Sequence, residues 1–323
     1  MNNIRRIGRH IIKNGLDYFS YSGSGFEFDA EPYYGKTSTI AINLISELKE
    51  CDDQYLSIFI NDLFYKRERL LSGEHIIELS VKKKSRIRVV KCNEAYLSSI
   101  YLKKLDVNDG VIVRPVYYNR KLIGFYGDSL TCGYGLLAHN DEGFKMSTED
   151  FTKTYAYLAS FALKMDYSVV ARSGISIALP YYLDKSFNDI YDTVDLENKC
   201  DVNYQVDYAV INLGANDTHA YNESKDKTKA LNTFYQEYIK LVESIIRTSP
   251  NAKFVLCHHM TNEYHPDFVK KLEDVSSYIK ERYKLPVLIL EFIPNSDGAS
   301  FHPYISAHKE NSKLLIEALK LLK

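Results

Sequence analysis

The chain has 323 residues, of which 45% are hydrophobic, and its 41 basic and 42 acidic residues leave a formal net charge of −1. This composition excludes a mainly disordered chain and suffices for one or two domains of ordinary size. The balanced charge gives no electrostatic basis for binding nucleic acid or an anionic membrane, so neither is expected as a partner. Apolar runs of membrane-spanning length are absent from the sequence.

The N-terminal residues are basic but are not followed by an apolar segment, so no secretory signal is predicted and a cytoplasmic location is expected. The cysteines are odd in number and scattered, which favours reduced thiols over a disulfide framework or a zinc site. They are Cys51, Cys92, Cys132, Cys200 and Cys257. The residues give no indication of an oligomeric state.

Short segments that alternate apolar and polar residues dominate the first part of the chain, and this period of two is typical of half-buried strands. The clearest are 38–44, 55–60, 74–81 and 85–91. Many short strands without long helices between them predict a β-sandwich, of the jelly-roll type, over residues 1–116.

Strand-like and helical segments alternate from about residue 120 onward. The predicted strands are 122–126, 168–171, 208–213, 254–258 and 287–292, and the predicted helices are 154–164, 230–247, 269–282 and 306–322. This alternation predicts a parallel sheet covered by helices on both faces, a three-layer α/β/α domain over residues 117–323.

Four of these strands are followed by polar or glycine-rich segments. Ser129, Gly174, Asn216 and His302 lie in them. Because parallel strands place their carboxyl ends at one edge of the sheet, these four residues are expected to converge.

The chemistry of these residues is complementary. Ser129 can attack a carbonyl if a base such as His302 removes its proton. The resulting oxyanion needs donors, which the backbone N–H groups of Ser129 and Gly174 and the amide of Asn216 can supply. The residues alone therefore predict a serine esterase.

Four sequence blocks resemble those of the SGNH, or GDSL, hydrolase superfamily. They are Gly127-Asp-Ser-Leu, Gly174, Gly214-Ala-Asn-Asp and His302-Pro303. The nucleophile block, extended to residues 127–135, and the β-rich first part of the chain are most similar to carbohydrate esterase family 2. The resemblance implies a jelly roll followed by an SGNH hydrolase domain, and a carbohydrate O-acetyl esterase that acts on acetylated oligosaccharides or polysaccharides through an acetyl-enzyme intermediate. It implies no cofactor.

One position departs from the family pattern, in which an acidic residue precedes the histidine by two or three positions. Here the nearest acid is Asp297, five residues before His302. The third group of a triad orients the imidazole and stabilises its charged form. Two alternatives stay open: Asp297 reaches His302 around the loop, or a backbone carbonyl orients His302 in a Ser–His dyad.

Two further features have functional and structural interpretations. Phe301 is a candidate platform for a sugar ring or a loop-packing residue. The pair His258-His259 has no ligand set of metal spacing near it in the sequence, so no metal is expected. Alternative functions are a serine esterase or transacylase for non-sugar short-chain acyl esters, or a non-catalytic glycan-binding protein.

Overall fold

The structure is a computed structural model and describes residues 3–33, 37–107, 110–200 and 204–322. The chain divides into two compact units, Met1–Asn119 and Arg120–Lys323. The first contains two antiparallel sheets, and the second contains a parallel sheet with helices. The predicted mixed α/β fold with a parallel sheet is confirmed, whereas the boundary between residues 116 and 117 stays a prediction.

The first unit consists of short strands in antiparallel pairs. In chain order they are β1 Arg5–Ile7, β2 Ile11–Lys13, β3 Leu16–Phe19, β4 Gly25–Pro32, β5 Ser38–Leu48, β6 Gln54–Ile60, β7 Leu63–Leu70, β8 Gly73–Val81, β9 Ser85–Lys91, β10 Ser98–Val107 and β11 Val111–Pro115. Their alternating sequences give each strand one buried face. In β5, every second residue from Ser38 to Ser46 is buried.

The two sheets of this unit share one core. One has the order β1–β4–β9–β6–β7, with β11 paired to β4, and the other has the order β2–β3–β10–β5–β8. Phe28 of β4 and Ile42 of β5 are fully buried in the core between them. Antiparallel sheets packed in this way form a sandwich. Its jelly-roll connectivity stays a prediction.

The second unit is built on five parallel strands in the order β13–β12–β14–β15–β16. The strands are β12 Leu122–Gly127, β13 Asp166–Ala171, β14 Tyr208–Asn212, β15 Lys253–His258 and β16 Val287–Glu291. The helices are α1 Ser129–Cys132, α2 Tyr155–Leu163, α3 Phe187–Ile190, α4 Ala215–Glu223, α5 Lys227–Thr248, α6 Pro266–Tyr278 and α7 Ile305–Leu321.

This strand order determines where on the sheet the candidate site residues lie. The chain leaves β12 in one direction to form β13 and returns on its other side to form β14, so right-handed crossovers put helices on opposite faces. Accordingly, α2 packs against α7, and α5 packs against α6. The connections that follow β12 and β14 leave in opposite directions at this switch point, where open α/β sheets bind ligands. Ser129 follows β12 and Asn216 follows β14.

Local signals explain most helix boundaries of this unit. The N–H of Lys229 donates to the side chain of Asp226, which caps α5. Helix α6 begins at Pro266 and continues into a π-helical turn, Ile279–Tyr283. Helix α4 was not predicted, because its sequence is polar and lacks an apolar period. In the described part of the chain, every helix is too short or too polar to cross a bilayer.

Candidate active site

Ser129 is presented at the end of β12 by a sharp turn into α1. The side chain of Asp128 caps this helix, because its Oδ1 accepts a hydrogen bond from the N–H of Leu130 at 3.0 Å. A Cβ at Gly127 would collide with the side chain of Thr131, so this position requires glycine. Ser129 is the first residue of α1, and the first N–H groups of a helix have no partner within it. The turn therefore exposes both a hydroxyl and a backbone donor.

Ser129 and His302 meet although they are far apart in the chain. The distance between Ser129 Oγ and His302 Nε2 is 2.9 Å. Ser129 is only 6% exposed, so its hydroxyl lies in a largely desolvated position. This is the hydrogen-bonded geometry that a nucleophile and its general base require.

The other ring nitrogen of His302 determines the tautomer. Nδ1 lies 3.1 Å from the backbone carbonyl oxygen of Ser300. A carbonyl oxygen can only accept, so this contact requires the proton on Nδ1 and leaves a lone pair on Nε2 for the Ser129 hydroxyl. In its neutral form the ring can therefore act as a base directed at Ser129.

Asp297 has a different local partner. Its carboxylate accepts a hydrogen bond from Asn295 Nδ2 at 2.6 Å, and its backbone N–H donates to Asn295 Oδ1. Of the two alternatives that the sequence leaves open, this geometry favours orientation of His302 by a backbone carbonyl. The sequence does not indicate which carbonyl, because the contact depends on the dihedral angles of the loop.

Two left-handed residues shape that loop. Ser300 has a φ of 52° and Phe301 a φ of 62°. A bulky residue in this conformation is unusual and costs on the order of 1 kcal/mol or more. Backbone hydrogen bonds hold the turn, from Gly298 N–H to His302 O and from His302 N–H to Ala299 O. The turn folds the Ser300 carbonyl back toward the imidazole.

Backbone contacts join this loop to the segment that follows Ser129. The Ala299 N–H donates to Gly135 O at 3.2 Å, and the Ile305 N–H donates to Leu136 O at 3.0 Å. Gly135 has a φ of +61°, and a Cβ there would lie 2.5 Å from Ala299 Cβ. Gly135 is therefore needed as glycine where the segment after Ser129 meets the histidine loop.

Aromatic rings surround His302. The ring centroid of Tyr134 lies 4.5 Å from that of His302, and Phe144 stacks on Tyr134 at 4.1 Å. Phe301, the residue before His302, is 65% exposed. Sequence reasoning identified Phe301 but missed Tyr134 and Phe144. Tyr134 could have been recognised in the sequence by its position between Gly133 and Gly135.

Gly174 and Asn216 lie on the two segments next to the Ser129 turn. Gly174 has a φ of +77°, which a residue with a Cβ rarely adopts. Asn216 Nδ2 donates to the carbonyl of Ile175 at 2.9 Å and lies 3.4 Å from Asp128 Oδ2. Asn216 thereby links the Gly174 segment to the Ser129 turn. The amide carries two hydrogens, and the long second contact leaves one able to reach an oxyanion.

Asp217 fixes the backbone of the segment that follows Gly174 through hydrogen bonds. Its buried carboxylate accepts hydrogen bonds from three consecutive backbone N–H groups, those of Ile177, Ala178 and Leu179, at 2.8–3.0 Å. Burial raises the pKa of Asp217 to about 6, and the three hydrogen bonds oppose the rise. Asp217 thus fixes the loop that carries these three N–H groups.

A second group of exposed rings lies beside Gly174. Tyr181 and Tyr182 are 43% and 55% exposed, and both contact the imidazole of His219 with ring centroids 5.4 Å apart. A Cβ at Gly174 would lie 3.3 Å from Tyr182 Cβ, which places this tyrosine next to the candidate oxyanion donor. These rings can contact the apolar faces of a sugar.

Comparison with protein families gives one match. Residues 123–309 fit the model described as GDSL-like Lipase/Acylhydrolase, which covers more than half of the chain. A curated relative is the cellulase/esterase CelE of Acetivibrio thermocellus, 27% identical over 247 residues. That match includes 71% of this chain but only 29% of CelE, so the chain spans less than a third of the curated relative.

Solved structures resemble the chain over nearly its full length. One is a family two carbohydrate esterase from Clostridium thermocellum in complex with cellohexaose, with a TM-score of 0.86, 19% identity and 98% of each chain covered. Another is the acetyl xylan esterase Est2A from Butyrivibrio proteoclasticus, with a TM-score of 0.84, 19% identity, and 99% of this chain and 96% of that one covered. At such identities these likenesses establish the fold.

Proposed function

Because the chain belongs to the GDSL-like lipase/acylhydrolase family, we propose that it is a carbohydrate O-acetyl esterase, with Ser129 as nucleophile and His302 as general base. The family resemblance expected from the sequence is confirmed, and with it an enzyme of the ester-hydrolase class. The observation that carries the mechanism is the 2.9 Å contact between Ser129 Oγ and His302 Nε2, with Nδ1 facing a carbonyl.

Acylation begins at Ser129. Its Oγ attacks the acetyl carbonyl carbon while its proton passes to Nε2 of His302. The Ser300 carbonyl accepts a hydrogen bond from Nδ1 and so stabilises the positive charge that develops on the imidazole. A carbonyl dipole does this less strongly than a carboxylate, and this Ser–His dyad works without an acid.

The tetrahedral intermediate bears its negative charge on the former carbonyl oxygen. The backbone N–H groups of Ser129 and Gly174 and the Nδ2 of Asn216 are the proposed donors to it. Loss of one such donor costs about 3–4 kcal/mol of transition-state stabilisation. The 2.9 Å hydrogen bond from Asn216 Nδ2 to Ile175 O keeps this amide beside the Gly174 segment, and its other hydrogen is the proposed donor.

Collapse of the intermediate releases the sugar. The ester C–O bond breaks, the sugar oxygen takes the proton from His302 Nε2, and an acetyl-Ser129 ester remains. Water then attacks this ester while His302 accepts its proton. The second intermediate collapses to acetate and returns the proton to Ser129 Oγ.

An acetylated oligosaccharide or polysaccharide is the proposed substrate. The comparison proteins described as a carbohydrate esterase with cellohexaose and as an acetyl xylan esterase support this proposal. The exposed rings of Phe301, Tyr181 and Tyr182 near the site provide surfaces suited to sugar faces. We assign Phe301 as a platform for the ring that carries the acetyl group.

Acetate release from acetylated xylo- and manno-oligosaccharides tests the proposal. Ser129→Ala should abolish release, because no other group replaces the nucleophile, while Ser277→Ala on the exposed face of α6 should leave it intact. Unchanged release by Ser129→Ala would overturn the nucleophile assignment. Faster turnover of simple short-chain or long-chain acyl esters than of any acetylated sugar would favour an esterase for non-sugar substrates instead.

A further inference from the structure

A second cluster of functional side chains lies at the carboxyl ends of β15 and β16. His258 is the last residue of β15 and pairs in register with Glu291, the last residue of β16. His259 follows directly. One ligand atom from each of these three side chains lies within 4.8 Å of the other two. The mechanism proposed for Ser129 and His302 uses none of them.

The backbone of His259 explains how adjacent side chains come together. Consecutive residues of a strand point to opposite faces of the sheet. His259 leaves the strand with a φ of 59°, a left-handed conformation that ends this alternation. As a result, the two imidazole rings meet edge to face, with centroids 4.8 Å apart. The turn thus converts two sequence neighbours into a pair of convergent ligands.

The distances between the three atoms lie on either side of the ligand spacing in a coordination sphere, and the two histidine nitrogens are hydrogen-bonded to each other. The two Nδ1 atoms are 2.5 Å apart, and His259 Nδ1 is 3.9 Å from Glu291 Oε1. In a tetrahedral site with bonds of about 2.0–2.1 Å, ligand atoms are about 3.3 Å apart. The glutamate is 71% exposed and can move inward, and rotation of the His259 ring widens the nitrogen pair.

The donor set selects a class of metal. Two imidazole nitrogens and one carboxylate suit Zn²⁺ and similar transition metals, whereas Mg²⁺ and Ca²⁺ prefer oxygen ligands alone. Metals bind neutral imidazole.

We propose that His258, His259 and Glu291 form a site for a divalent transition metal of the Zn²⁺ type. Three protein ligands leave one tetrahedral position for water or another ligand. The Phe292 N–H donates to His258 O at 2.9 Å, so the metal would cross-link the ends of two strands where the segment leading to His302 begins. The site cannot be recognised from the sequence, because its third ligand, Glu291, lies on another strand.

Zn²⁺ titration of the full chain, freed of metal with a chelator, tests the proposal by calorimetry. One Zn²⁺ per chain should bind at about neutral pH. His259→Asn, which suits a left-handed backbone, and Glu291→Gln should each weaken binding about tenfold or more. His75→Asn on β8 is the matched control and should bind as the wild type does.

Thermal unfolding gives a second readout. Zn²⁺ at about a 100-fold excess over Kd should raise the Tm of the wild type by about 5 °C or more, and Mg²⁺ should not. Neither His259→Asn nor Glu291→Gln should show the full rise. Absence of stoichiometric Zn²⁺ binding, or equal binding by both variants and the wild type, would overturn the proposal. Neither readout depends on esterase activity, so the two proposals can fail separately.

Discussion

His302 Nδ1 lies 3.1 Å from the carbonyl oxygen of Ser300, a residue two positions earlier on the same loop. The group that orients the imidazole is therefore part of the turn that carries it. A carboxylate in this position would require a further side chain with its own packing. The left-handed conformations of Ser300 and Phe301 achieve the orientation through the backbone.

Substitution of Asp297 should have little effect on catalysis. We expect Asp297→Ala to retain kcat within about tenfold, because the Ser300 carbonyl continues to hold the Nδ1 proton. Removal of an orienting carboxylate from a working triad lowers kcat by about 10⁴. Steady-state acetate release measures the difference. A loss of three or more orders of magnitude in a folded variant would show that Asp297 acts on His302.

Gly135→Ala should impair catalysis by displacing the histidine loop. The new Cβ would lie 2.5 Å from Ala299 Cβ, and the position has a φ of +61°. A displacement of about 1 Å at a catalytic group can lower the rate about 100-fold. We expect a fall of this order in kcat with a smaller change in KM.

Gly15→Ala, in the turn between β2 and β3, is the control for this experiment. Gly15 also has a positive φ, +78°, but a Cβ there would meet no atom within 4 Å. This variant should therefore have a strained backbone without the collision, and it should retain most of its kcat. Equal losses in both variants would attribute the effect to strain and contradict the proposed contact.

The ionisation of Asp217 should make stability depend on pH. Its pKa is about 6 in the folded protein, against 3.8 as the ordinary value. The folded state thus binds the proton more tightly, and the stability that this group contributes is fully present below about pH 4 and is lost as the pH rises through 6. The difference corresponds to roughly 3 kcal/mol.

Urea unfolding of the wild type and Asp217→Asn from pH 4 to pH 7 measures this effect. The variant lacks the ionisation, so the stability of the wild type relative to the variant should decrease by up to about 3 kcal/mol over this range. A difference that stays constant with pH would show that burial does not raise the pKa of Asp217.

Phe301→Ala should raise KM for acetylated oligosaccharides. Its ring is 65% exposed beside His302, and removal of a stacking surface weakens sugar binding while the reacting groups stay in place. We expect an increase of about tenfold, with kcat on a small acetyl ester unchanged within twofold. Phe161→Ala on α2, where the ring is also exposed, is the control. A parallel loss on both substrates would indicate a structural role for Phe301.

Much of the architecture, and the convergence of the candidate site residues, followed from local patterns. The predicted strand 85–91 coincides with β9, and the strands before Ser129, Gly174 and Asn216 lie close to their predicted positions. Apolar periodicity reveals such elements because burial of one face depends on neighbours in the chain. Because parallel strands end at a common edge, the sequence alone predicts that the candidate residues lie together.

The sequence by itself determined which residues are candidates for the chemistry, since the proposed nucleophile, the proposed base and the glycines lie in short, ordered blocks. Only the tertiary structure decided that Ser300 O faces His302 Nδ1, that Gly135 supports the histidine loop, and that Glu291 meets the histidine pair. Periodicity is a property of residues close in the chain. Strand register and the left-handed turn at Ser300 and Phe301 depend on packing between distant segments, which no local pattern encodes.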